Sequence, residues 1–323
     1  MTSHPFLGDG ITYLHKEVLC GARPIKGWIS LQSMKAVGQN FLGEVFNLQS
    51  ELMHGYKCAM TRQNLRMRLL GTSHIGPTFM VSLIGFLMAH SSGSMGSALG
   101  IALTIFTGQL CIGWTNDLVD RESDRSQGRK NKPLANGTVS VKTVTFATAL
   151  SLTTCILLSL FGPFGLRGGA LHLLGVSCGI AYNFYFKKSL LSPLPYVIAF
   201  AAFPSAIALS KNHPVPLWLV ILGALFGIAA HFANVVKDMD RDRLAGLYGL
   251  PQRLGTRVSV SVAGSALLVI AVILASNTHI WFPVPIGIVS VLLLTVAPPR
   301  LCFPLVMMLA LIDVLLMVSR VSL

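Results

Sequence analysis

Apolar stretches of about 20 residues recur along most of the chain, and they restrict the folds it can adopt. We predict nine membrane-spanning helices, because about 20 apolar residues in a helix cross the roughly 30 Å hydrocarbon core of a bilayer. The composition agrees, with 53% hydrophobic and 11% charged residues, whereas soluble domains carry roughly 25% charged residues. The alternating pattern of a membrane β-barrel is missing. The predicted spans are 70–90, 96–116, 143–163, 167–186, 193–210, 216–236, 259–276, 280–297 and 301–320.

Positive charges fall almost entirely on one side of these predicted spans. Of the 25 Lys and Arg residues, 22 lie in the N-terminal segment or in loops that follow even-numbered spans. Because Lys and Arg accumulate in cytoplasmic loops, we predict a cytoplasmic N-terminus and an outside C-terminus. The same distribution explains the net charge of +13 without a nucleic-acid partner, since no basic segment is interleaved with aromatic residues in a soluble module.

Two groups of acidic residues follow predicted spans two and six, within 116–124 and 234–242. Between residues 70 and 300 the chain has no Asp or Glu outside them. Carboxylates beside a hydrophobic span are costly, so they mark a site for cations or protons. Spacings of three or four residues place side chains on one face of a helix. We therefore expect one shared face in each group, formed by Asp117, Asp120 and Asp124 in the first and by Asn234, Asp238 and Asp242 in the second.

The residue types in these groups indicate the chemistry of the site. Neighbouring carboxylates repel each other unless a cation joins them, and all-oxygen ligands suit Mg²⁺, which commonly binds one or two carboxylates plus substrate phosphates. The His and Cys spacing of a zinc site is missing. Arg and Lys residues follow both groups, and these side chains bind phosphate. The pattern therefore predicts a magnesium-bridged anion, and specifically a diphosphate.

The two acidic groups, together with the residues that follow each of them, resemble the two signatures of the UbiA superfamily of intramembrane prenyltransferases. The segment Ala181-Tyr182-Asn183 through Lys187 resembles the family's tyrosine and lysine at the end of span four. His74 begins a segment similar to actinobacterial members, and we expect it to line an acceptor pocket or to pair with a backbone carbonyl. The first signature corresponds to Asn116-Asp117-x-x-Asp120-x-x-x-Asp124-Arg125, Arg129, Lys132-Pro133-Leu134 and Gly137, and the second to Asp238-x-x-x-Asp242 and Gly249-Leu250-Pro251-x-Arg253-Leu254-Gly255.

The resemblance implies an all-α polytopic membrane protein with about nine helices around a central cavity open to the cytoplasm. It also implies a Mg²⁺-dependent enzyme that ionises a prenyl diphosphate in an apolar cavity. The site residues it implies fall into three overlapping sets: Asn116, Asp117, Asp120, Asp124, Asp238 and Asp242 for the metal; Asn116, Arg129, Lys132, Lys187 and Asn234 for the diphosphate; and Asp117, Asp120, Asp238, Tyr182 and Asn183 for catalysis.

The chain divides by composition into an extension and a membrane domain. Residues 1–65 are mixed and polar and hold four of the 12 acidic residues. We expect them to be weakly ordered or to lie at the membrane interface. Residues 66–323 form the predicted prenyltransferase domain, which we expect in a bacterial cell membrane among its lipids.

Three functions remain open at this stage. The first is transfer of a prenyl group to an aromatic acceptor that resembles a quinone precursor, or to a lipid acceptor. The second is a membrane terpene cyclase of the same fold, which needs no acceptor and has the same composition. The third is a transporter with acidic gates. Transporter sites lie near the bilayer midplane at broken helices, whereas these charges cluster at one predicted surface.

Overall fold

The computed structural model describes Leu69, Thr72 and residues 74–319. Within this part of the chain the secondary structure is helical, with eleven α-helices and a 3₁₀ turn at Phe186–Lys188. The predicted extension, residues 1–65, lies outside the described residues. The helices are α1 (Ile75–His90), α2 (Met95–Ser126), α3 (Val141–Phe161), α4 (Gly165–Phe184), α5 (Leu194–Ser210), α6 (Leu217–Val236), α7 (Met239–Leu244), α8 (Leu250–Leu254), α9 (Thr256–Thr278), α10 (Pro283–Val296) and α11 (Pro299–Val318).

Five of these helices are long and apolar enough to cross a membrane: α2, α3, α6, α9 and α11. Helices α1, α5 and α10 are apolar but shorter. Most predicted spans coincide with a described helix to within a few residues. Helix α2 continues ten residues beyond the predicted apolar span, which ends at 116, and it carries the first acidic group, as the helical spacing of Asp117, Asp120 and Asp124 predicts. It ends just before Gly128, whose positive φ of 65° favours glycine.

Six helices form a closed ring around the centre of this domain. In order around the ring, α1 contacts α2, α2 contacts α4, α4 contacts α5, α5 contacts α6, α6 contacts α11, and α11 contacts α1. Helix α3 packs outside the ring against α2 and α4, and α9 packs outside it against α6 and α11. The C-terminal ends of α2, α4 and α6 bring the two acidic groups and Lys187 to one cavity, which the next subsection describes.

The contact between α5 and α6 depends on glycine. A Cβ atom added at Gly227 would lie 2.4 Å from the carbonyl oxygen of Tyr196, and one at Gly223 would lie 2.3 Å from that of Phe200. Both obstacles are backbone atoms, which cannot rotate away. Small residues allow such close approach of helices in membranes. The glycines therefore set the distance between these two walls of the ring.

Replacing Gly227 with alanine is expected to push α5 and α6 apart and to lower the thermal midpoint of the detergent-purified protein. Overpacking costs about 1–3 kcal/mol, which corresponds to several degrees for a protein of this size. The matched control is Gly96→Ala in α2, because a Cβ there would meet nothing within 4 Å. Equal midpoints for the two variants would contradict the role given to the glycine contact.

The second acidic group does not form one helical face, so that prediction is wrong. Helix α6 ends at Val236, and Asp238 adopts φ −113° and ψ 5° before α7 begins at Met239. The Asp238 amide donates to the carbonyl of Val235, three residues back, at 3.0 Å. Such a bond tightens the last turn of a helix. The helix is therefore interrupted between Asn234 and Asp242.

Candidate active site

A cavity of about 350 Å³ lies inside the ring of six helices. Its wall is apolar over much of its length, with side chains such as Ile105, Phe203, Leu222 and Phe226. At the end formed by the C-termini of α2, α4 and α6, the wall becomes polar and charged. The cavity therefore consists of an apolar chamber and a charged rim. A ligand with one apolar and one charged end matches these two parts.

The structure brings nearly all of the predicted site residues to this cavity. Asp117 is the exception: it belongs to the first acidic group but does not line the cavity wall. The residues that do line it are Asn116, Asp120, Asp124, Arg129, Lys132, Tyr182, Asn183, Lys187, Asn234, Asp238 and Asp242.

Basic residues neutralise the carboxylates of the first acidic group. Lys187 Nζ lies 2.5 Å from Asp120 Oδ2, which connects the 3₁₀ turn after α4 to the end of α2. Arg129 Nη1 lies 2.7 Å from Asp124 Oδ1. Lysine and arginine also bind phosphate well. The rim therefore holds cations suited to phosphate, each paired with a carboxylate suited to a metal ion.

In the second group, Asp238 pairs with Arg241, while Asp242 has a neutral partner. Gln252 Nε2 donates to Asp242 Oδ2 at 2.8 Å, and Gln252 is only 4% exposed. Burial raises the pKa of Asp242 above its ordinary value, although the Gln252 hydrogen bond and the charge of Lys187 oppose this effect. Gln252 is the unspecified position of the second signature, so this contact could not be predicted from the motif.

Asp117 lies behind Lys132. Its side chain is 1% exposed, and its Oδ1 accepts a hydrogen bond from Lys132 Nζ at 2.5 Å. His74 Nε2 is 3.5 Å from the same oxygen and 3.3 Å from Asn116 Nδ2. His74 also lines the cavity, so its imidazole belongs to the polar rim together with Asp117 and Asn116.

Asn183, predicted as catalytic, has a structural contact as well. Its Nδ2 donates to the carbonyl of Ile112 at 3.0 Å, which ties α4 to α2. Tyr182, the neighbouring predicted residue, is buried, and its ring centre is 5.1 Å from that of Tyr196 in an edge arrangement. Tyr182 and Tyr196 together form an aromatic patch on the cavity wall.

Sequence reasoning missed two cavity residues, Tyr196 and Lys237. Asn234 Nδ2 donates to the Tyr196 hydroxyl at 3.4 Å, which connects α6 to α5. Lys237 Nζ lies 4.9 Å from the centre of the Phe303 ring. Burial lowers the pKa of Lys237, and the positive charges of Lys132 and Arg241 lower it further. Its position directly before Asp238 was a usable signal, whereas Tyr196 looks like an ordinary residue of an apolar span.

The donor set at the rim fits a hard divalent cation. The carboxylates of Asp120, Asp124, Asp238 and Asp242 line one cavity and supply only oxygen ligands, as Mg²⁺ prefers. Among the described residues, no three His, Cys, Asp or Glu side chains gather closely enough to hold a metal by themselves. Mg²⁺ usually binds one or two carboxylates and completes its coordination shell with waters and phosphate oxygens.

Comparison with known proteins identifies the family. The model of the UbiA prenyltransferase family matches residues 78–314. The chain belongs to the UbiA prenyltransferase family. This membership and the apolar helices make it an integral membrane protein, and they favour an enzyme over a transporter. Among curated proteins, no significant match to the chain was found.

Solved structures show the same fold at low sequence identity. A UbiA homologue from Archaeoglobus fulgidus bound to GPP and Mg²⁺ superposes with a TM-score of 0.60 and 15% identity, over 79% of this chain and all of that chain. A digeranylgeranylglyceryl phosphate synthase gives 0.57 and 17%, over 80% and 98%. An apo UbiA homologue from Aeropyrum pernix K1 gives 0.59 and 13%, over 79% and 98%.

Proposed function

We propose that this protein transfers a prenyl group from a prenyl diphosphate to an aromatic or lipid acceptor within the membrane. The observation that carries the proposal is the cavity itself, in which an apolar chamber ends at a rim of four aspartates and several basic residues. A prenyl diphosphate has matching parts: a hydrocarbon tail and a strongly anionic head. The related A. fulgidus protein was solved with such a ligand and Mg²⁺.

The predicted metal ligands that face the cavity are Asn116, Asp120, Asp124, Asp238 and Asp242. A bound Mg²⁺ neutralises charge on the diphosphate and makes it a better leaving group. The basic residues act on the same group. We expect Lys187 and Arg129 to shift from Asp120 and Asp124 toward phosphate oxygens when the diphosphate enters, because each is a flexible cation at the cavity wall.

The apolar chamber protects the reactive intermediate. Loss of diphosphate from an allylic carbon leaves a carbocation, and water would quench it. Side chains such as Phe203 and Phe226 exclude water from the chamber. The rings of Tyr182 and Tyr196 stand on the wall nearer the rim, where the faces of aromatic rings attract positive charge. An electron-rich acceptor then forms the new bond to the allylic carbon and loses a proton.

We place the protein in a bacterial membrane with nine spanning helices, α1–α6 and α9–α11. The distribution of Lys and Arg supports a cytoplasmic N-terminus, a rim facing the cytoplasm and an outside C-terminus. The pathway for the prenyl tail then lies among the helices, where membrane lipids supply and receive hydrophobic molecules.

Removing divalent metal is expected to stop pyrophosphate release. The detergent-purified protein is incubated with an allylic diphosphate and either Mg²⁺ or excess EDTA, and released pyrophosphate is measured. We expect release with Mg²⁺, none with EDTA, and recovery when Mg²⁺ is restored, because four carboxylates at the rim otherwise repel the anionic head. Release that persists unchanged in EDTA would contradict the proposed role of the rim.

Deleting residues 1–60 is expected to leave most pyrophosphate release intact. The family match starts at residue 78, in agreement with the proposed division into an extension, 1–65, and a membrane domain, 66–323. The deletion keeps Leu69, whose carbonyl accepts a hydrogen bond from Trp114 Nε1 at 3.1 Å. Complete loss of activity, with an unchanged melting profile, would show that the extension contributes to the site.

A further inference from the structure

The role of Asp117 follows from its surroundings and not from its place in the motif. It is 1% exposed, compared with 22% for the Asp120 side chain and 29% for the Asp238 side chain. Its Oδ2 has no hydrogen-bond partner in the described part of the chain. A carboxylate this deeply buried is stable only with a close counter-ion. Lys132 is that counter-ion.

Lys132 stands between Asp117 and the cavity. Its ammonium nitrogen lies 2.5 Å from Asp117 Oδ1 and 3.2 Å from His74 Nε2, and its side chain lines the cavity wall. An ammonium group has three N–H donors. One of them donates to Asp117, and a second faces His74 Nε2, which accepts it only in one tautomer. At least one N–H is therefore left for a ligand in the cavity. The pair holds one positive charge at a fixed place on the rim.

A metal ion has no direct access to Asp117 in this arrangement. To reach Oδ1 it would have to displace the Lys132 ammonium, which would then lie unpaired in a region that already contains other positive charges. Lys132 and Arg129 both act on Lys237 electrostatically. Asp120 and Asp238 can be approached from the cavity, since both line it.

We propose that Asp117 is a positioning residue and not a metal ligand. It fixes the Lys132 ammonium at the cavity wall, where that ammonium binds an oxygen of the diphosphate. This inference rests on the proposed function. It separates two of the three aspartates of the first signature: Asp120 acts on the metal directly, and Asp117 acts on the diphosphate through Lys132.

The test measures binding and needs no turnover. Mn²⁺ replaces Mg²⁺ and inorganic pyrophosphate replaces the substrate head. Electron paramagnetic resonance counts the Mn²⁺ bound in the presence of pyrophosphate, and isothermal titration calorimetry gives the pyrophosphate affinity. The variants are Asp117→Asn, Asp120→Asn, Lys132→Met and the double variant Asp117→Asn/Lys132→Met, each checked for its melting midpoint. The double variant removes both buried charges, so it remains informative if Lys132→Met alone fails to fold.

We expect Asp117→Asn to keep the wild-type number of bound Mn²⁺ ions and to weaken pyrophosphate binding by about ten-fold, as for the loss of one charge-assisted hydrogen bond. Asp120→Asn is expected to lose Mn²⁺. Adding Asp117→Asn to Lys132→Met is expected to cause no further loss of affinity, because Asp117 acts through Lys132. If Lys132→Met does not fold, the double variant is compared with Asp117→Asn instead. We then expect the pyrophosphate affinities of these two variants to agree within a few-fold.

Two results would overturn this inference and leave the proposed function standing. In the first, Asp117→Asn loses Mn²⁺ that the wild type binds. In the second, Asp117→Asn binds pyrophosphate with wild-type affinity. A wild-type protein that binds neither Mn²⁺ nor pyrophosphate would instead overturn the proposed function, and this inference with it. The two failures are therefore distinguishable by the wild-type measurement.

Discussion

Replacing Asp120 with asparagine is expected to lower the rate of Mg²⁺-dependent pyrophosphate release by about 10²–10³-fold, the usual loss when one group that stabilises developing charge is removed. Asp120 lines the cavity, and its Oδ2 holds Lys187 at 2.5 Å. The change keeps the size of the side chain and removes its charge, so both the metal and the position of Lys187 are affected. Initial rates over a range of Mg²⁺ concentrations measure the effect.

The matched control for this variant is Glu122→Gln on the same helix. Glu122 is exposed and pairs with Arg121 at 2.9 Å, away from the cavity. We expect its rate to stay within about two-fold of the wild type, as is common for surface substitutions. If Asp120→Asn retained wild-type activity, or if both variants lost it equally, the cavity-facing carboxylate would not have the role assigned to it.

Replacing Lys187 with methionine is expected to reduce kcat/KM for the prenyl diphosphate by about 10–100-fold, since a hydrogen bond to a charged group contributes roughly 1.5–3 kcal/mol. Methionine keeps much of the length of the side chain and loses the cation that we expect to contact the diphosphate. The side chain of Lys187 is only 17% exposed. Steady-state kinetics with varied prenyl diphosphate concentration measure the change.

The next residue in the chain supplies the control. Lys188 carries the same charge but is exposed and does not line the cavity. Lys188→Met is therefore expected to keep near wild-type kcat/KM. A similar loss in both variants would indicate a general effect of positive charge at the membrane surface and would contradict a specific contact by Lys187.

Much of the fold could be predicted because membrane helices leave a direct signal in hydropathy. Hydropathy falls at Asn116, but the helical spacing of Asp117, Asp120 and Asp124 predicts that the helix continues, and α2 reaches Ser126. Backbone hydrogen bonding does not depend on apolar side chains, and no proline or glycine interrupts the segment before Gly128. The same kind of argument failed at Asp238, where a regular spacing suggested a helix that a backbone turn interrupts.

The site could be predicted as a set of residues but not as a set of roles. Sequence motifs show which side chains occur together, whereas burial and partners depend on how helices pack. Asp117 and Asp120 are three residues apart in one signature, yet one is buried behind Lys132 and the other faces the cavity. Tyr196 lies outside the motifs and Gln252 occupies an unspecified motif position, because their importance arises from contacts with Asn234 and Asp242 in the folded protein.

The most direct test of the central claim is pyrophosphate release by the detergent-purified protein with Mg²⁺ and allylic diphosphates of increasing length. Each diphosphate is tested with and without a panel of aromatic and glycerol-phosphate acceptors, and products are identified by mass spectrometry. We predict release that requires an acceptor, together with a product whose mass equals the acceptor plus the prenyl group minus one hydrogen. Release without an acceptor, with a cyclised hydrocarbon or alcohol in the extract, would contradict transfer and establish the cyclase alternative.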